Sequence, residues 1–201
     1  VSDVTTDGRL LKGARARASI ARHAADVASV EGLTGLSLGR LAADLGLSKS
    51  GVATLFGTKE NLQLAAVRAA REVFVERIVR PALEVESGLP RLRMLIERWF
   101  EYVSEPAFPG GCFRAATIAE FDSRPGAVRD ALAGDREEWL GLLAREVARA
   151  QAHSGHPRRS PDEVAFEIDA ILGALNTALR LDDDAAIERA HALLDRVLAS
   201  L

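Results

Sequence analysis

The stretch from Ser37 to Leu62, SLGRLAADLGLSKSGVATLFGTKENL, constrains the fold most, because its start and stop signals fit two short helices and the beginning of a third. Ser37 is a good N-cap, and Leu38, Leu41, Ala42 and Leu45 follow at i, i+3, i+4 and i+7, one apolar stripe. Gly46, just past that stripe, can take the left-handed backbone of a sharp turn, after which Leu47 is expected to drop into the core. Ser48 starts the next helix, which turns Val52, Leu55 and Phe56 inward and Lys49, Ser50, Gly51 and Thr54 outward. Gly57 closes it, and Thr58 caps a third helix beginning at Lys59 and Glu60. A first helix that braces a second, whose small, polar and basic first turn faces outward, is a helix-turn-helix arrangement able to enter a DNA major groove.

The wider run from Ile20 to Leu62 sharpens this reading. Ile20, Ala24, Gly32, Ser37, Leu41-Ala42, Gly46-Leu47-Ser48-Lys49, Phe56, Thr58-Lys59-Glu60 and Leu62 together resemble the DNA-binding domain of TetR-family transcriptional regulators. The chain departs from that pattern at Ala53, where most members carry an aromatic residue that commonly contacts a phosphate, and at Leu55, often a polar residue. The resemblance implies an all-α protein with an N-terminal three-helix DNA-binding domain and a C-terminal helical domain for ligand binding and dimerisation. It further implies a homodimer formed through the last two helices, a palindromic double-stranded operator, and a small apolar or amphipathic effector that releases a repressor from DNA. A helical ligand-binding or adaptor dimer that has lost DNA binding is the alternative, motivated by Ala53.

The uneven distribution of charge along the chain fits a DNA-binding head, and by itself fits an ordinary solvated face as well. The chain carries a net −3, yet between Arg9 and Lys59 eight bases (Arg9, Lys12, Arg15, Arg17, Arg22, Arg40, Lys49 and Lys59) face only Asp26, Glu31 and Asp44. A basic N-terminal part on an acidic body is the asymmetry expected when one end meets phosphate.

Along the chain, residues 1–13 read as a disordered basic arm, 14–58 as the helix-turn-helix domain, 59–80 as a connecting helix ended or kinked by Pro81, and 81–201 as the ligand-binding and dimerisation domain. Helix 1 is expected from about Ala14 to Val30. In the body, Leu92, Leu95, Ile96, Trp99, Phe100 and Val103 keep helical spacing, and so do the apolar residues of segments beginning near Cys112, Val128, Val164 and Ile187. A polar loop from His153 to Ser160 separates two of these helices, and Asp182-Asp183-Asp184 reads as a cap of the last one. No segment alternates with period two. No run approaches the roughly 20 apolar residues of a membrane span, and the polar start with Arg9 and Lys12 is unlike a secretory leader, so a cytoplasmic location is expected.

The expected DNA-contacting residues are Ser37, Arg40, Ser48, Lys49, Ser50, Gly51, Thr54 and Lys59: lysines as point charges for phosphate, hydroxyls as donors, and Gly51 allowing close backbone approach. For the effector the candidates are Trp99, Phe100, Phe108, Cys112, Phe113, Thr117, Glu120, Phe121, Trp139 and Asn176, since an apolar cavity with a few polar groups is what a small-molecule site needs. Cys112, the single cysteine, reads as a small buried hydrophobe rather than a redox sensor, with only Arg114 near it in sequence. The chain has no GxSxG, Walker A or HExxH pattern and the histidines show no ligand spacing, so neither an enzyme nor a metal or cofactor site is expected.

Overall fold

The computed structural model describes residues 3–152 and 159–201, which form helices and turns with no strand among the described residues. The polar loop with His153 and His156 falls mostly outside the described residues, as do Val1 and Ser2. Among the described residues ten α-helices run as α1 Asp3–Glu31, α2 Leu38–Asp44, α3 Lys49–Phe56, α4 Lys59–Phe74, α5 Arg80–Leu83, α6 Leu89–Ser104, α7 Phe113–Phe121, α8 Ala127–Gln151, α9 Pro161–Arg180 and α10 Ala186–Ala199. A 3₁₀ turn, Leu33–Gly35, precedes α2, and a π turn, Val75–Val79, joins α4 to α5.

Two of these bounds correct the sequence reading. Helix α1 begins at Asp3, so residues expected as a disordered arm extend the first helix instead. Gly8 and Gly13 each cost a helix about 1 kcal/mol relative to alanine, but no proline stops its propagation. Pro81 does not end the connecting helix at residue 80. The path continues through α5 to Leu83, and the proline, which lacks an N–H and crowds the carbonyl four residues back, is preceded by the widened π turn.

The chain divides into two compact units, Val1–Glu72 with Phe108–Leu132, and Val73–Ala107 with Ala133–Leu201. In the first unit Ile20, Ala24, Ala25 and Ala28 of α1 are buried with Leu33, Leu36, Leu41, Ala42, Val52, Phe56 and Leu62, and α7 packs against α1. The segment from Phe108 to Leu132, expected in the body, therefore joins the helix-turn-helix domain. In the second unit the α6 stripe Leu92, Leu95, Ile96, Trp99, Phe100 and Val103 is buried as its spacing predicts. Phe74 meets Tyr102 and Trp139 edge to face at 5.8 and 5.2 Å between ring centroids, and Trp139 Nε1 donates to Asp169 Oδ1 at 3.0 Å. Helix α9 packs on α10 and on α6. The last helix takes Ala185 as its N-cap with no side-chain cap, so the aspartates do not cap it; Asp183 pairs with Arg189 instead.

Candidate nucleic-acid interface

Local caps position α2, α3 and α4. Ser37 Oγ accepts from the Arg40 N–H at 3.2 Å and starts α2, and Ser48 Oγ accepts from the Gly51 N–H at 3.1 Å and starts α3. Gly46 between them has φ +63°, the left-handed turn the sequence calls for. Thr58 Oγ1 accepts from the Asn61 N–H at 3.1 Å at the start of α4. Leu47 corrects the expectation of a core residue: it is 46% exposed, because the turn points it away from Leu41 and Val52, which fill the interior. Gly51 has a second reason to be glycine, since a Cβ there would lie 2.9 Å from the capping Ser48 Oγ.

On the outer face of α3, Lys49, Ser50 and Thr54 are exposed while Val52 and Phe56 are buried. Thr54 Oγ1 donates to the Ser50 carbonyl at 2.8 Å. The far end of α3 is held from α1: the Arg17 guanidinium donates to the Leu55 carbonyl and lies 4.9 Å over the Phe56 ring. His23 of α1 reaches Asp44 of α2 at 3.2 Å. These braces join residues 21 or more apart in sequence, beyond the reach of a periodicity argument.

Two expected DNA contacts are committed inside the protein. The Arg40 guanidinium pairs bidentately with Glu31, one branch at 2.7 Å, and Arg40 Nε lies 3.7 Å from Asp44. This hydrogen bonding holds the Glu31 carboxyl below its ordinary range and raises the Arg40 pKa. Lys59 Nζ donates to the Thr34 carbonyl at 2.5 Å.

The effector candidates are split between the units. Phe108, Cys112, Phe113, Thr117, Glu120 and Phe121 belong to the first, and Trp99, Phe100, Trp139 and Asn176 to the second. Glu120 corrects the expectation of a ligand-facing carboxylate. Its Oε1 accepts from the Leu33 N–H at 2.9 Å, and its Oε2 accepts from the Thr34 N–H at 3.0 Å and Thr34 Oγ1 at 2.7 Å. The Thr117 hydroxyl is likewise spent, donating to the Phe113 carbonyl at 2.9 Å. Cys112 is buried, as its reading as a small hydrophobe predicts. In the second unit the Phe100 ring stacks on His191 at 4.0 Å, and the buried Trp99 Nε1 has no hydrogen-bond partner among the described residues. A groove of about 510 Å³ in that unit is lined by Ser87, Gly88, Pro90, Arg93, Arg149 and Leu198 among others, and by none of the ten candidates.

Comparisons with known proteins agree with this architecture. Residues 88–194 match the family model for the tetracyclin repressor-like C-terminal domain. A TetR transcriptional regulator from Chloroflexus aurantiacus J-10-FL has 24% identity over 94% of each chain with a TM-score of 0.83. A regulator from Saccharomonospora viridis solved with choline has 16% identity over 90% of this chain and 95% of that one, TM-score 0.73. AibR, solved with isovaleryl coenzyme A and operator DNA, has 18% identity over 80% and 86%, TM-score 0.67. A search of curated proteins gives no match. With its C-terminal half matched by the family model and a capped helix-turn-helix ahead of it, the chain belongs to the TetR family of transcriptional regulators, which are not enzymes.

Proposed function

We propose that the protein is a ligand-responsive repressor that binds a palindromic operator as a homodimer. The observation that carries this reading is α3: Ser48 caps it, Val52 and Phe56 anchor it, and its outer face offers Lys49, Ser50 and Thr54 to a major groove. Lys59 stands at the first position of α4, where an ammonium holding one carbonyl keeps two further donors for phosphate oxygens. Dimerisation is supported by Phe166 on α9 and Leu193 on α10, which are 60% and 43% exposed in the single chain. An effector in the second unit is supported by Trp99 Nε1, a buried donor with no partner among the described residues. Choline and isovaleryl coenzyme A are bound by two proteins of similar fold; for this chain the proposed class is a small apolar or amphipathic molecule. Effector binding would favour a conformation with the wrong head spacing and lower DNA affinity by the ratio of its affinities for the two states.

The test is fluorescence anisotropy of the purified protein on the intergenic DNA beside its own gene, at two salt concentrations with random DNA as competitor. Competition-resistant binding that weakens steeply with salt is expected. Binding no tighter than to random DNA, there and across fragments selected genome-wide, would favour a dimer that has lost DNA binding.

A further inference from the structure

The geometry points to Glu120 as a positioning residue for operator binding, acting from α7 through Thr34 on Lys59. The inference rests on the reading of α3 and α4 as the DNA-binding face.

The turn that follows α1 has no cap of its own. The 3₁₀ turn Leu33–Gly35 opens at Gly32, which has no side chain to accept the first amides. Glu120 supplies that acceptor from 86 and 87 residues away, one oxygen to Leu33 and the other to Thr34. A Cβ at position 32 would lie 2.3 Å from Glu120 Oε1, so a side chain there would displace the carboxylate, and the φ of +78° would strain it as well. The opposite side of the same turn faces α4. The Thr34 carbonyl accepts from Lys59 Nζ at 2.5 Å, and the Leu33 carbonyl accepts from Gln63 Nε2 at 2.9 Å, one helical turn further on. The turn is thus clamped between a carboxylate on α7 and two donors on α4, and it leads straight into the Ser37 cap of α2.

A second attachment keeps the carboxylate in place. Gly110 N–H donates to Ser29 Oγ at 2.9 Å, and a Cβ at Gly110 would fall 1.7 Å from the Ser29 carbonyl oxygen. The Arg22 guanidinium lies 4.3 Å over the Phe108 ring. The segment carrying Glu120 is therefore seated on α1 by close backbone approach, while Glu120 itself holds the turn that follows α1.

Glu120→Gln keeps the shape but aims an amide group at donors. An acidic side chain that merely repelled DNA would, when neutralised, raise affinity. A positioning residue does the reverse. On the operator-containing duplex, Glu120→Gln is expected to weaken binding roughly fivefold to tenfold and to lower the salt slope by about one, as loss of one phosphate contact does. In a Lys59→Ala background the same substitution should have no further effect. Amide exchange at Leu33 and Thr34 should accelerate while α6 and α9 keep their protection. Unchanged or raised affinity overturns the inference, and so does an equal loss in both backgrounds. A wild-type protein without sequence-specific binding overturns the reading of the face itself, and the inference with it. Should Glu120→Gln fail to fold, Thr34→Val removes one of the three donors and is read by the same cycle.

Discussion

Each unit contains a carboxylate that reaches far along the chain to satisfy the start of another helical element, and the two differ in what surrounds them. Glu120 serves the turn after Gly32, and Glu146 serves α6 after Ser87 and Gly88, accepting from Ser87 Oγ at 2.6 Å and Gly88 N–H at 2.7 Å. In both places a glycine with positive φ, +78° at Gly32 and +99° at Gly88, leaves the local backbone without a capping side chain. Glu146 is 1% exposed and is also met by Arg149 at 3.0 Å and Arg91 at 3.5 Å. Glu120 is half-buried and its three donors are two amides and a hydroxyl. Glu146 is thus a buried charge met by two guanidiniums that reach it from the surface side, a fixture of the fold, whereas Glu120 is a lighter clasp at the edge of the DNA-binding motif.

The largest effect that could break this contrast is Glu146→Ala, which removes the acceptor of the buried Gly88 N–H and the buried carboxylate that Arg91 and Arg149 share. A loss of about 2–3 kcal/mol, that of hydrogen bonds to a buried charged acceptor, is expected in urea unfolding, and a loss no larger than that of Glu120→Gln would erase the distinction. Acid sharpens the same point. Burial pushes the Glu146 carboxyl up, but Ser87, Gly88, Arg91 and Arg149 outweigh it and hold it below its ordinary range. Its stabilisation is therefore complete above the unfolded-state pKa and lost as pH falls through the lower folded-state value. Subtracting the Glu146→Gln unfolding curve from that of wild type between pH 6 and the onset of acid unfolding should show this decline toward acid. For Glu120→Gln a stability loss of about 1–2 kcal/mol is expected, that of charge-assisted hydrogen bonds at a partly exposed site. Ser48→Ala, which removes a cap made four residues or fewer away, should cost about 1 kcal/mol in the same unfolding measurement. Lys49→Ala should leave stability within about 0.5 kcal/mol while lowering the salt slope of operator binding by about 0.9; an unchanged slope would remove Lys49 from the face that the Glu120 clasp serves.

What the amino-acid sequence made legible follows the reach of each interaction. Ser37, Gly46, Ser48 and Thr58 act on amides or turns within three residues of themselves, so the α2–α3 framework could be read directly. The apolar stripe of α6 was equally plain. Glu120 reads as a ligand group because nothing near it in the chain announces Leu33 and Thr34, and Arg40 as a DNA contact because Glu31 lies nine residues away on another helix. Leu47 misled because apolarity argues burial, while the turn geometry that exposes it is a backbone property. The division of 108–132 from the rest of the C-terminal region is a packing outcome that chain order conceals.

The π turn at Val75–Val79 fixes which length changes the connecting helix can absorb. Phe74, Ile78 and Ala82 are all buried at a spacing of four, whereas a regular α-helix would rotate the last of them about 80° from the first. The wide turn takes up that drift, in effect housing one surplus residue. Removing one residue between Val75 and Val79 should let the helix close into regular α geometry with the loss of only one turn's local contacts. Adding one there, with the surplus already accommodated, would swing Ala82 and everything after it out of register with α6.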